Sequence, residues 1–200
     1  MEITEIDVRL DSLADIMFDR FIDHSKDERP PEQKLYLFRG NKLVLPAENI
    51  VSFLFGDDPP GCAKAFEGKK GKEYIRAGLG HVFINPVFIP FLRDEKEVIF
   101  KGFDVDYMYL HEGSGRTKQG SRSIKQPMKK RPVFCHPWSL EFKISVVKNS
   151  FIDETKLYNW FVRGGILISI GTYRPRFGRF EIAGWEPSIL KEKKKSDRKK

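Results

Sequence analysis

Cysteine is scarce in this 200-residue chain, which contains only Cys62 and Cys135. Two cysteines cannot build a disulfide scaffold or a four-cysteine zinc site. Long apolar runs are missing as well, since the best one, over residues 166–170, is far shorter than the ~18 residues that cross a bilayer. The opening segment is acidic and alternating, unlike a secretory signal. These absences predict a cytoplasmic protein with no membrane association.

Sequence signatures of nucleotide binding and of nucleophilic catalysis are also missing: there is no P-loop, dinucleotide fingerprint or nucleophile elbow. Apolar residues make up 40% and charged residues 32% of the chain, as in an ordinary globular protein. We therefore expect one domain over residues 1–189 and a disordered basic tail over residues 190–200. No cofactor is predicted.

Charge is unevenly distributed along the chain, whose net charge is +8. Residues 1–32 contain ten acidic and four basic residues, whereas the remainder has a large basic excess. Segregation of this kind favours a polyanionic partner, and nucleic acid is the common one. The alternative is that the excess of lysine serves only solubility.

Hydrophobic periodicity and turn residues predict an alternation of strands and helices. The predicted order is a strand over 2–10, a short helix or irregular turn after Ser12, a hairpin over 35–45 around Arg39-Gly40-Asn41, a helix opened by Pro46 and ended by Gly56, several strands over 81–110, a strand over 138–147, a helix from Asp153 ended by Gly164-Gly165, and a strand over 179–183. This order predicts an α+β fold with a ferredoxin-like (RRM-like) β-α-β-β-α-β core and a β-rich insertion at about residues 61–135.

The segment 113–132 contains seven basic residues and no acidic one, with little to bury. It is therefore expected to protrude as a loop or hairpin and to neutralise phosphates, unless it is simply a solvated loop. Its candidate nucleic-acid-binding residues are Arg116, Lys118, Arg122, Lys125, Lys129, Lys130 and Arg131.

A second candidate is the run GTYRPRFGRFEI that begins at Gly171. Glycines allow the backbone to approach a phosphate closely, arginines bind phosphate through two parallel hydrogen bonds, and aromatic rings stack on unpaired bases. The residues that would do so are Gly171, Tyr173, Arg174, Arg176, Phe177, Gly178 and Arg179. The alternative is a solvated turn with Phe177 and Phe180 in the core.

Three stretches together resemble the RAMP superfamily, the RNA-binding proteins of CRISPR effector complexes, and especially their backbone subunits. They are the alternating first strand, the segment LYLF…KLVLPAENIVSFLFG, and the helix with Gly164-Gly165 followed by the glycine- and arginine-rich run. The chain also resembles uncharacterised phage and prophage proteins with the same Phe-Gly-Arg-Phe ending and an Arg-Pro pair upstream, here Arg131-Pro132. The resemblance implies RNA binding and self-association along the strand.

Catalytic and metal-binding candidates are few. By analogy with RAMP endonucleases, His24 is the best-placed general base for a metal-independent RNase. Cys135-His136 could contribute to a zinc site only together with Cys62. Asp104 and Asp106 alternate on a predicted strand and could hold Mg²⁺, but no third acidic residue accompanies them, so we expect them to be solvated.

We therefore predict a non-enzymatic protein that binds single-stranded RNA or DNA, preferably RNA, and polymerises along it into a filament or ribonucleoprotein complex. The alternative is a phage-encoded protein-interaction module, or an inhibitor that mimics a CRISPR backbone subunit. A single-turnover RNase using His24 is a third possibility.

Overall fold

The computed structural model describes residues 2–20, 29–113, 116–119, 122–125 and 128–190, with backbone only for the segments between 114 and 127. In these ranges the strands are β1 (Ile3–Ser12), β2 (Ile16–Met17), β3 (Leu37–Phe38), β4 (Lys42–Pro46), β5 (Val82–Asn85), β6 (Phe88–Arg93), β7 (Lys96–Glu97), β8 (Met108–Gly113), β9 (Arg116–Gln119), β10 (Arg122–Lys125), β11 (Lys129–Phe134), β12 (Ser139–Val147) and β13 (Phe180–Leu190). The helices are α1 (Ala47–Phe55), α2 (Cys62–Phe66), α3 (Gly71–Leu79) and α4 (Glu154–Leu167), with 3₁₀ turns at Pro31–Lys34 and Gly68–Lys70. The fold is thus mixed α+β, as predicted.

The main sheet is antiparallel and has the strand order β13-β1-β12-β6-β4-β3, with β5 also paired to β12 and β7 to β6. A smaller sheet has the order β2-β11-β8, and β9 pairs with β10 in a separate hairpin. Apolar and polar residues alternate along the strands of the main sheet. Because successive side chains of a strand point to opposite sides, one face of the sheet is apolar and the other polar. In β12, for example, Phe142 is buried while Lys143 is exposed.

The core lies between one face of the main sheet and the helices α1 and α4. Phe53 of α1 contacts both Phe161 of α4 and Phe180 of β13, with ring centroids 5.2 and 5.3 Å apart. Each helix contributes its apolar face to this layer, and α4 begins at the N-cap Asp153, whose side chain accepts a hydrogen bond from the backbone N–H of Lys156. Burial of large aromatic side chains is the main stabilising contribution here.

Several local predictions are confirmed. Gly40 and Asn41 have positive φ in the turn between β3 and β4, and α1 begins after Pro46 and ends before Gly56. The segment after Ser12, predicted as a short helix or turn, instead contains the short strand β2, which pairs with β11.

The prediction that Gly164-Gly165 ends a helix is wrong, since α4 continues to Leu167. Both glycines are contact points between layers of the fold. A Cβ on Gly164 would lie 2.6 Å from the Cys62 Sγ, and one on Gly165 would lie 2.4 Å from the carbonyl oxygen of Phe180. The helix tolerates these glycines because they let α4 approach its neighbours closely.

Candidate nucleic-acid interface

The glycine-rich loop, residues 168–179, connects α4 to β13. It is held by hydrogen bonds to β2 and to the residue that precedes β2. The backbone N–H of Gly178 donates to the carbonyl of Asp15 at 2.7 Å, and that of Thr172 donates to the carbonyl of Met17 at 3.0 Å. Inside the loop, the fully buried Ser169 donates its hydroxyl to the carbonyl of Phe177 at 2.7 Å. The loop therefore has a defined shape before any ligand binds.

Gly171 and Gly178 both have positive φ, which explains why glycine occupies these positions. The space beside their α-carbons is filled by the protein itself. A Cβ on Gly178 would lie 1.9 Å from the carbonyl oxygen of Ile170, and one on Gly171 would lie 2.9 Å from that of Met17. Gly178 thus lets the loop close on itself, and Gly171 lets it approach β2 closely. Their predicted contact with a phosphate stays a prediction.

The three predicted arginines of this loop differ in exposure: Arg174 is half-buried, whereas Arg176 and Arg179 are exposed. None of the three side chains has a hydrogen bond or an ion pair with another described residue. Burial lowers the pKa of Arg174, because desolvation disfavours its charged form. A half-buried cation that has no counterion in the described part of the chain is suited to an anionic ligand.

Arg174 lines a cavity of about 380 Å³ between the glycine-rich loop and α1. The opposite wall contains Asn49 and Ser52 of α1, together with Pro59. An amide, a hydroxyl and a guanidinium that line one cavity are donor groups that recognise a phosphate or a sugar hydroxyl. Asn49 was not predicted from the sequence, since helix α1 looks purely structural there.

The two predicted stacking residues have different environments. Phe177 is buried in a small cluster with Met17 and Val133, so stacking on a base is not open to its ring in this structure. The alternative prediction, that Phe177 and Phe180 belong to the core, is the one that the structure favours, because both are buried. Tyr173 lies at the edge of the same cluster and is partly exposed.

The basic segment forms the hairpin β9–β10 and then strand β11 of the small sheet. Lys125 pairs with Arg116, and Ser123, next to Arg122, pairs with Lys118, which places the four basic residues of the hairpin on two adjacent strands. Lys129, Lys130 and Arg131 lie on β11 opposite β8. Lys130 is exposed and forms an ion pair with Glu112 at 3.0 Å.

Arg131 was predicted to bind phosphate, but it is buried and paired inside the protein. Its Nε donates to the Asp19 carboxylate at 2.6 Å, and its Nη1 donates to the carbonyl of Gly113 at 3.4 Å. Its guanidinium also lies 5.4 Å from the ring centroid of Tyr173. Arg131 therefore links the base of the hairpin to the glycine-rich loop and brings the two predicted binding elements together.

Replacing Arg131 with methionine should destabilise the protein by about 3–5 kcal/mol, because Asp19 would keep a poorly solvated, unpaired charge. Lys130→Met, on the same strand but exposed, should change stability by less than about 0.5 kcal/mol. Chemical denaturation of both variants measures the difference. Equal midpoints for the two variants would mean that the Arg131–Asp19 pair contributes nothing.

The exposed face of the main sheet is acidic. Arg9 of β1 contacts three carboxylates, those of Asp11, Glu95 and Glu141, at 3.2, 2.7 and 2.9 Å. Asp7, two residues before Arg9 on β1, forms an ion pair with Lys143 at 2.8 Å. Carboxylates would repel phosphates, so this face is a poor surface for nucleic acid, in contrast to the glycine-rich loop.

The outcome differs among the catalytic and metal-binding candidates. His24 lies outside the described residues. Burial strongly raises the pKa of the Cys62 thiol, and the described residues contain no cluster of three His, Cys, Asp or Glu side chains that could hold a metal ion. Asp104 and Asp106, predicted to alternate on a strand, lie instead in a turn, where the Asp104 carboxylate accepts the backbone N–H of Asp106.

Asp15, near the glycine-rich loop, accepts hydrogen bonds from the Tyr109 hydroxyl and from the backbone N–H of His136, at 3.2 and 2.9 Å. Burial, assisted by the charge of Asp15, raises the pKa of Tyr109 to about 12. In the unfolded chain a tyrosine ionises near pH ~10. The contribution of neutral Tyr109 to the free energy of unfolding should therefore be fully present below pH ~10 and decrease as the pH rises towards 12.

The variant Tyr109→Phe isolates this contribution from the other tyrosines. Its free energy of unfolding should decline less steeply between pH 10 and 12 than that of the wild type, because it has no phenol to ionise there. Urea denaturation at several pH values provides the measurement. Parallel curves for the two proteins would show that Tyr109 ionises equally in the folded and unfolded states.

Comparison with known proteins gives one kind of match. No protein-family model matches the chain, and no curated protein matches it. Its fold is similar to a chain of the Type III-B Cmr-beta, determined by cryo-EM with cognate target RNA bound; the TM-score is 0.53 at 11% identity, over 95% of this chain and 61% of that chain. Among the described residues, no helix has the length and apolar character needed to cross a membrane. The shared feature is thus an α+β fold, and this chain spans 61% of the length of that relative.

Proposed function

We propose that this chain is a RAMP-like protein that binds single-stranded RNA without cleaving it, along a surface formed by the glycine-rich loop and the basic hairpin. The observation that carries the proposal is a set of three arginines with no counterion among the described residues, on a loop that Arg131 joins to the hairpin. The similarity of the fold to a chain from an RNA-bound structure supports it.

The proposal includes a ferredoxin-like core made of β1, α1, β5, β12, α4 and β13. The antiparallel neighbours β13-β1-β12-β5 support this topology, since a β-α-β-β-α-β unit has the spatial strand order 4-1-3-2. Helix α1 lies between β1 and β5 in the chain, and α4 lies between β12 and β13. The predicted insertion at about residues 61–135 would then consist of α2 and α3 before β5 and, after β5, the segment that carries the basic hairpin.

Fluorescence anisotropy with labelled single-stranded RNA, single-stranded DNA and duplex RNA tests the binding. We expect the tightest binding to single-stranded RNA, and a log–log salt slope of about −4 if six phosphates are neutralised. The measurement is made at about 50 and 200 mM salt, where such a slope changes affinity by more than two orders of magnitude. Binding no tighter than that of a peptide corresponding to residues 190–200 would contradict the proposal.

Self-association along the strand is the second part of the proposal. The acidic sheet face of one molecule and the basic hairpin of another carry opposite charges, which favours contact between copies on a shared strand. Light scattering with saturating oligonucleotide of increasing length should show masses that rise in steps. A single copy per strand at every length would remove this part and leave the binding itself intact.

A protein-interaction module is the alternative, and one observation favours it. Helix α4 exposes an apolar stripe made of Tyr158, Val162 and Ile166, which are spaced four residues apart. A pull-down from a nuclease-treated lysate that depends on this stripe, combined with no binding of any oligonucleotide, would favour the alternative.

A further inference from the structure

Two phenylalanine rings stack on one another at the protein surface, away from the glycine-rich loop. They are Phe38 of β3 and Phe88 of β6, with ring centroids 4.8 Å apart and planes inclined by 27°. Both remain substantially accessible to solvent, at 38% and 43% exposure. Most other ring pairs in the described residues are tilted or edge-on and lie in the core, so this open, nearly parallel pair is distinct from them.

A cation is part of the same surface. The guanidinium of Arg39 lies 5.3 Å from the centroid of the Phe38 ring, and its side chain has no hydrogen bond or ion pair with another described residue. The following residue, Gly40, has open space around it. The neighbouring Lys42, by contrast, is paired with Glu97 at 2.5 Å. The stack therefore presents one uncompensated positive charge to the solvent.

The stack is connected to the candidate phosphate-binding cavity through a short path. Tyr36 lies two residues before Phe38 and thus about 7 Å along an extended chain. Burial raises the pKa of the Tyr36 hydroxyl, and the nearby Asn49 side chain partly offsets that rise. Asn49 in turn lines the cavity that contains Arg174. On the other side of the stack, Phe88 pairs with Pro46, the residue from which α1 leads to Asn49.

We infer that Phe38, Phe88 and Arg39 form a stacking site for an unpaired base of the strand whose phosphates bind at Arg174. The inference rests on the proposed function and adds a second binding site to it, whose ligand is a base of the same strand. A flat ring pair complements a flat base, and every base has such a face, so the site tolerates any sequence. The uncompensated Arg39 favours a nucleic acid over an apolar protein surface, because the adjacent phosphate supplies the missing negative charge.

The double variant Phe38→Leu/Phe88→Leu tests the site, since leucine keeps an apolar side chain but removes the ring. The probes are a labelled single-stranded RNA 12-mer and an abasic strand of equal length. Loss of base stacking should weaken binding of the RNA by about 10-fold or more and leave binding of the abasic strand unchanged. Tyr158→Leu on α4, which removes an equally exposed ring elsewhere, should leave binding of both probes unchanged.

Four outcomes have a defined meaning. Equal RNA affinity of the double variant and the wild type overturns the stacking site, and so does an equal loss for both probes. No binding of either probe by the wild type overturns the proposed function and this site with it. Self-association of the wild type without nucleic acid, lost in the double variant while RNA affinity is retained, would assign the pair to a protein interface.

A fluorescence measurement complements the affinity measurements, because it reports on the base itself. An RNA 12-mer that contains 2-aminopurine should change its fluorescence on binding, because stacking on a ring alters the environment of the base. Phe88→Leu alone should reduce the change. An identical fluorescence change in this single variant would also overturn the stacking site.

Discussion

Simultaneous replacement of Arg174, Arg176 and Arg179 by alanine should lower the affinity for single-stranded RNA by at least about a hundredfold. A lost hydrogen bond to a charged group costs about 1.5–3 kcal/mol, and tenfold in affinity corresponds to about 1.4 kcal/mol. The fold should survive, because none of the three side chains has a polar partner among the described residues. Arg174 should contribute most, since it is the half-buried member.

Anisotropy titrations at several salt concentrations measure two properties of this variant, its affinity for RNA and the salt dependence of that affinity. The log–log salt slope should become shallower by about 2, corresponding to three lost phosphate contacts. The matched control Lys69→Ala/Lys70→Ala/Lys96→Ala removes three exposed positive charges elsewhere on the surface. If the control loses as much affinity as the arginine variant, binding depends on net charge alone and the glycine-rich loop is not the site.

Replacing Gly178 with alanine should destabilise the protein by at least about 3 kcal/mol. Part of the cost is the positive φ of +72°, which is worth about 1–2 kcal/mol for an alanine. The larger part arises because the new Cβ would lie 1.9 Å from the Ile170 carbonyl, so the loop must open. Opening would also disturb the hydrogen bond from the Gly178 N–H to Asp15.

Gly40→Ala is a close control for this variant, because Gly40 has the same φ of +72° and nothing within 4 Å of the new Cβ. It should cost only the backbone term of about 1–2 kcal/mol. Thermal or urea unfolding of both variants separates the steric contribution from the conformational one. Equal destabilisation would show that the loop adapts to a side chain at position 178 without cost.

Local features of the fold could be predicted where the signal lies within a few residues. The turn at Gly40-Asn41 and the start of α1 after Pro46 follow from backbone preferences alone. The Gly164-Gly165 pair misled the prediction, because glycine is both a helix stop and a close-contact residue. Only the positions of Cys62 and Phe180, which are distant in sequence, decide between the two roles.

The site illustrates the same limit. The clustering of arginines in the glycine-rich loop is visible in the sequence, but the partners of individual side chains are not. In the sequence Arg131 cannot be distinguished from the other basic residues of its segment. In the structure its Nε lies 2.6 Å from the Asp19 carboxylate. Phe177 looks equally suited to stacking on a base and to the core, and its contacts with Met17 and Val133 favour the core.

The position of β1 between β12 and β13 determines when the main sheet can form during synthesis. Asp11 pairs with Ser139, and Ser12 pairs with Phe180, so the strand made early depends on partners translated much later. Contacts of such long sequence separation slow folding, because a large loop must close before they stabilise the chain. Until then the alternating edge of β1 is exposed on the ribosome, and its acidic residues protect it by making it a poor template for aggregation.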